Sequence, residues 1–177
     1  MRRFLDRLYA ASGALAAVCL ASIAVVMLAQ AGMREMGMLL RGADDIVGWL
    51  CAASAFLALG YTFRHGELVR VGLLIDRLPP AARRRAEHGA LGLAVLVTGY
   101  ILWAAASFVH ESWQFEEVAQ GLIQIPIWIP QLSFVAGALI FFVAVLDEFV
   151  VQLAGGTPAY RRAEQQHRAG TDLEGAP

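Results

Sequence analysis

The side chains of this chain that could do chemistry are four histidines, two cysteines and a set of acids and arginines, and their spacing limits what they can do. Haem ligation needs imidazoles that face each other inside a helix bundle. His65, His88 and His110 stand at the ends of apolar segments and His167 lies in a polar tail, so solvated or interfacial histidines fit better. Cys19 and Cys51 lie within apolar runs and lack the close spacing of a zinc or redox pair. They read as small packing residues, and no disulfide is expected. No nucleophile elbow, phosphate-binding glycine loop or metal-spaced acid–histidine pair is present. A proton-coupled carrier would show an ionisable group inside a span, and none stands near the centre of an apolar segment here. Asp147 and Glu148 fall about 31 Å beyond Pro126 at ~1.5 Å per residue, which puts them at a membrane surface. The expectation is therefore a chain that is not an enzyme, carries no cofactor and has no transport site of its own.

The elements that hold these residues are apolar. Hydrophobic residues make up 58% of the 177 positions and charged ones 16%, above the roughly 45–50% apolar content of soluble domains. The mean hydropathy is +0.57. All fourteen basic residues are arginine, and the net charge of −1 conceals a strong clustering along the chain. No nucleic-acid partner is expected.

A basic head, 1–9, precedes an uncharged run over 10–31 that is long enough to span a bilayer. Leu28-Ala29-Gln30-Ala31 resembles a signal cleavage site, but the run exceeds the roughly 7–15 residues of a signal core, so a retained span is expected. Gly13, Ala17 and Ala21 recur every four positions and Ala52 to Ala55 follow in the second span, which suggests close helix packing. Asp44 and Asp45 open that second span, over 46–63, where acids complement a helix N-terminus. Further spans are expected over 90–109 and 125–146, within a four-span membrane domain at 10–153 followed by a flexible tail at 154–177. Pro126 suits a first helical turn, whereas Pro130 predicts a kink or a broken start. Four spans leave both termini on one side. Twelve arginines fall in the head, in the stretch from Arg64 to Arg85 and in the tail; only Arg34 and Arg41 fall on the other side. The positive-inside rule then puts the termini in the cytoplasm, with Trp49, Trp113 and Trp128 near the outer face.

Between spans two and three lies F-R-H-G-E-L-V-R-V-G-L-L-I-D-R-L-P-P-A-A-R-R-R, from Phe63 to Arg85. Its core, 68–78, is too short to span and is amphipathic: Arg70 and Arg77 share a narrow stripe opposite Leu68, Val71, Gly72, Leu74, Ile75 and Leu78. A short helix lying in the membrane surface or against a partner is expected, stopped by Pro79-Pro80. The fold expected is thus all-α, with four transmembrane helices and one short amphipathic interfacial helix.

Gly66-Glu67, Arg70-Val71 and Asp76-Arg77-Leu78-Pro79, together with Ala43-Asp44-Asp45, Phe63-Arg64 and the run Gly121 to Phe142, resemble the small membrane subunit of the tripartite ATP-independent periplasmic (TRAP) transporters. Leu68 and Gly72 depart from that pattern, standing where relatives often have polar residues. The resemblance implies a small permease subunit of a sodium-driven, binding-protein-dependent importer of an organic acid-type solute in the bacterial inner membrane. In such systems the large subunit holds the substrate and sodium sites and moves, while the small one is static scaffold. Its implied partners are that large multi-span subunit, a periplasmic solute-binding protein and membrane lipid. The matching positions Asp45, Arg64, Glu67, Arg70, Asp76 and Arg77 are then expected at a partner or lipid interface. The alternatives are a membrane anchor or haem-binding subunit of a redox enzyme, and an independent four-helix carrier.

Overall fold

The computed structural model describes residues 2–65 and 79–156. Four helices account for most of them: α1 (Arg2–Glu35), α2 (Ala43–Arg64), α3 (Pro80–Gln114) and α4 (Trp128–Leu153). Each is long and apolar enough to cross a membrane. Among the described residues there is no β-strand, only an isolated bridge between Val118 and Pro126. The short helix expected over 68–78 lies outside the described residues, as does the tail beyond 156.

The helices run alternately up and down, but their spatial order is not their chain order. α2 packs on α1 and on α4, α3 packs on α4, and α1 barely meets α4, so the row reads α1–α2–α4–α3. Burial follows this order: 22% and 28% of the apolar windows of α2 and α4 are buried, against 11% in the two edge helices. Lipid is as apolar as a leucine side chain, so close packing and interhelical hydrogen bonds must hold such a row together. Two clusters do so. Tyr9, Phe63, Leu91, Ala144 and Val145 bring all four helices together at one end. Ala16, Ala53 and Leu57 join α1 to α2 further along, with Ile140 of α4 against them.

The α1–α2 contact differs from the expected stripe. Ala17 and Ala21 are exposed, while Ser12, Gly13 and Ala16 face α2. A step of four residues turns a helix by about 40° beyond a full revolution, so a strict every-fourth pattern drifts off the contact face within two steps. The buried Ser12 hydroxyl donates to the Leu57 carbonyl across this contact. On the other side of α2, Gly137 of α4 lies against the backbone of Phe56; a Cβ there would come within 2.5 Å of the Phe56 carbonyl carbon. The Phe56 and Phe134 rings then meet edge to face with centroids 4.1 Å apart.

The start of α4 corrects a second expectation. Pro126 is not in a helical turn but pairs with Val118, and the helix begins at Trp128. Pro130 consequently falls in the first turn of α4, where backbone N–H groups have no intrahelical partner, and its missing donor breaks no bond. The first residues also behave differently: α1 begins at Arg2, so the head that precedes the apolar run is helical.

Candidate functional site

The polar side chains of the described chain collect at the two ends of the bundle. At the end where α1 begins and α2 finishes, Arg64 stands in the last turn of α2 with its guanidinium directed at two other helices. Its Nη2 lies 2.5 Å from Asp6 Oδ1 on α1 and its Nη1 lies 3.4 Å from Asp147 Oδ2 on α4. The Arg64 Cζ sits 5.0 Å from the centroid of the buried Tyr9 ring, a cation–π geometry. Asp6 is half-exposed, whereas Arg64 and Asp147 are largely enclosed. Glu148, one residue on, is buried, and Gln152 one turn further donates from Nε2 to His88 Nδ1 of α3 at 3.4 Å. One arginine therefore ties α1, α2 and α4 together, and Gln152 adds α3.

At the opposite end, Asp45 in the first turn of α2 reaches a different segment. Its Oδ2 accepts hydrogen bonds from the Leu122 and Ile123 backbone N–H groups at 2.8 and 3.2 Å. The Asp45 carboxylate occupies the space a Cβ on Gly121 would need, so only glycine admits this approach. The segment so held is a hairpin: Ala119 N–H donates to Ile125 O at 2.9 Å and Ile127 N–H to Glu117 O at 3.0 Å. The buried Ser112 hydroxyl donates to Glu117 Oε2 at 2.9 Å, fixing the hairpin to the end of α3. Gln30 Nε2 donates to Asp44 Oδ1 at 3.2 Å and joins α1 to the start of α2. Trp49, Trp113 and Trp128 belong to the helix turns at this same end.

Of the six positions expected at an interface, the structure places two, at opposite ends of α2. Arg64 and Asp45 both have partners within the chain. Glu67, Arg70, Asp76 and Arg77 lie outside the described residues. Sequence reasoning missed Asp6, Tyr9 and Asp147 as partners of Arg64, and it missed the amide pair that Asp45 holds. The acids opening α2 were expected to complement their own helix. They do stand in its first turn, but no side chain caps it. His65 stacks on Tyr61 at 4.0 Å, and among the described residues no three histidines, cysteines or acids gather as a metal-holding group.

Between the two polar ends, α1 has no charged or histidine side chain from 8 to 33, α2 none from 46 to 63, α3 none from 89 to 109 and α4 none from 128 to 146. Four long apolar helices with charge confined to their ends define a multi-pass integral membrane component. The chain belongs to the DctQ component family of the tripartite ATP-independent periplasmic transporters, whose family model matches residues 23–155. It is thus the small membrane subunit of such a transporter. The family is one of transporter components rather than enzymes, and it lends no support to a haem-bearing redox anchor. Among curated proteins, none matches the chain. The matched segment includes both Asp45 and Arg64 but begins after Asp6 and Tyr9.

Proposed function

We propose that the chain is the static scaffold of a sodium-driven importer of an organic acid-type solute, bracing a large transport subunit that is fed by a periplasmic binding protein. The observation that supports this reading is the absence of any charged or histidine side chain in the middle of the four spans. A coupled carrier needs such a group to bind its ion or charged substrate within the membrane. A scaffold needs none, and the ends of these helices are fastened to one another instead. Sodium and substrate then bind on the large subunit, and this chain carries no cofactor. Both termini face the cytoplasm on the arginine distribution, in the inner membrane of a bacterium. Glu67, Arg70, Asp76 and Arg77 are the proposed contact with the large subunit or lipid, with Arg64 and Asp45 holding the frame from which that contact is presented.

Reconstitution tests the reading. In liposomes under an inward sodium gradient, the purified chain alone is expected to bind and move no organic acid. Addition of the large subunit and the binding protein together is expected to restore uptake. Sodium-dependent uptake by the single chain would overturn the scaffold assignment.

A further inference from the structure

The last turns of α1 and the first turn of α2 frame a groove at the end of the bundle that carries Asp45. Met27, Gln30, Ala31, Arg34, Glu35 and Asp44 line an open cleft of ≈ 430 Å³ there. Positions 27, 30, 31 and 34 share one face of α1, because steps of three and four residues return to the same side of a helix. The groove is therefore graded along the helix axis. Met27, 49% exposed, stands at the end nearer the middle of the span. Arg34 follows at the outer end, about 10 Å further along at ~1.5 Å per residue. The charges here are of both signs and are not spent on one another: among the described residues Arg34, Glu35 and Asp44 make no ion pair. Gln30 Nε2 donates to Asp44 Oδ1, and among the described residues nothing engages Oδ2.

α1 is an edge helix, and Val25 and Leu28 on the same stretch are 66% and 74% exposed. The connection that follows is apolar and exposed as well, at Met36, Met38 and Leu39. Among the described residues the Leu39 and Leu40 N–H groups make no backbone bond. Unpaired amides cannot enter hydrocarbon, so this end belongs in the head-group layer, where water and acyl carbon are both at hand. Lipid and a span of another subunit compete for such a groove. A span would match Met27 but leave the charges unanswered, unless it also offered an acid to Arg34 and a base to the two carboxylates. A phospholipid brings an acyl chain, then a phosphate and an amine, in the order in which the groove presents their complements. We propose that the groove binds one phospholipid whose zwitterionic head group carries a phosphate and a primary ammonium. The Arg34 guanidinium donates to the phosphate oxygens, and the ammonium donates to the Glu35 and Asp44 carboxylates. The class of head group follows from the charge balance. With one cation and two carboxylates in the lining, an anionic lipid would face an unanswered acid, and a choline head group has no N–H to donate. The assignment needs the membrane but not its sidedness, so it is independent of the proposed orientation.

The test offers the purified full chain an equimolar mixture of phosphatidylethanolamine, phosphatidylglycerol and phosphatidylcholine with identical acyl chains, and native mass spectrometry counts the lipid retained. One phosphatidylethanolamine is expected to be retained over either competitor by about threefold, the scale of an exposed ion pair. Arg34→Gln is expected to lower that retention by a similar factor. Glu35→Gln with Asp44→Asn is expected to abolish the preference over phosphatidylglycerol; the asparagine oxygen can still accept from Gln30, so the α1–α2 link is kept and this variant serves if the Arg34 variant fails to insert. Equal retention of the three lipids by the unsubstituted chain overturns the proposal, as does a preference that survives the double substitution. The same measurement on the complex with the large subunit decides between the two occupants. Retention of phosphatidylethanolamine there upholds the lipid site, and its exclusion from the complex would make the groove a contact between subunits.

Discussion

Arg64 divides one guanidinium between carboxylates on the two helices that flank α2, and the two contacts are unequal. The shorter one, to Asp6, is open to water on the acid's side, and exposed pairs are worth at most about 1 kcal/mol. The longer one, to Asp147, is more enclosed; stripping the cation from an enclosed acid costs more, though the remaining exposure of Asp147 keeps the loss below the 3–5 kcal/mol of a fully buried pair. Arg64→Ala is expected to lower unfolding stability in detergent by about 2 kcal/mol, and Asp6→Asn by less than about 1 kcal/mol. Equal losses in chemical denaturation would show that burial does not rank the two pairs. Arg70 poses a similar question at a position outside the described residues. A contact with lipid head groups alone would be worth about 1 kcal/mol. Burial against an acid of the large subunit would make its loss cost about 3–5 kcal/mol, more than a hundredfold in association. Arg70→Glu is expected to insert normally and sharply reduce co-purification of the large subunit, with Arg77→Glu weaker. Normal assembly and transport of the Arg70 variant would make the stripe a lipid-facing surface.

Among the elements, the α2–α4 contact depends most on the absence of a side chain. Gly137→Val would drive a branched side chain into the Phe56 backbone, and overpacking of that kind costs about 1–3 kcal/mol. Gly89→Ala in α3 meets nothing within 4 Å and is expected to gain about 0.5–1 kcal/mol from helix propensity. Thermal unfolding of the two variants should shift in opposite directions; a neutral Gly137→Val would mean the two helices are free to separate. The helices themselves were legible because a bilayer demands long uninterrupted apolar runs, and the arginines are excluded from them. What was not legible is what crosses the fold. Asp45 and its amide partners are separated by 77 and 78 positions, and Arg64 and Asp147 by 83. No periodicity in a single chain encodes a pairing at such a range. Pro126 and Pro130 misled for a local reason: both suit a first turn, and only the Val118–Pro126 bridge decides that the helix begins after the first of them.

For the whole molecule, the order α1–α2–α4–α3 leaves two edge helices with one principal neighbour each. Their free sides are apolar: Leu15, Val18 and Val25 on α1, and Leu93, Leu96 and Tyr100 on α3 are all exposed. A row of this kind offers the flanks of both edge helices to lipid or to another subunit. Its orientation is open to chemical labelling once Cys19 and Cys51 are replaced. Gln120→Cys in the hairpin is expected to react with an impermeant thiol reagent added outside intact cells, and Ala154→Cys only after the membrane is opened. The reverse pattern would invert the topology and place the Asp45 end of the bundle in the cytoplasm. The two fastenings of α2 also bear on the membrane around it. At ~1.5 Å per residue the rise from Asp45 to Arg64 is about 28 Å, close to the ~30 Å hydrocarbon layer. A lone helix meets a thicker or thinner bilayer by tilting. α2 is held near its N-terminal end by backbone amides and near its C-terminal end by two carboxylates, so tilting would break one set. Its stability is therefore expected to peak in bilayers of matching thickness and fall in both shorter- and longer-chain lipids, whereas a flat profile would show that the fastenings yield. The helix acts as a gauge for the bilayer, and the acyl chains next to it must stretch or compress to its length.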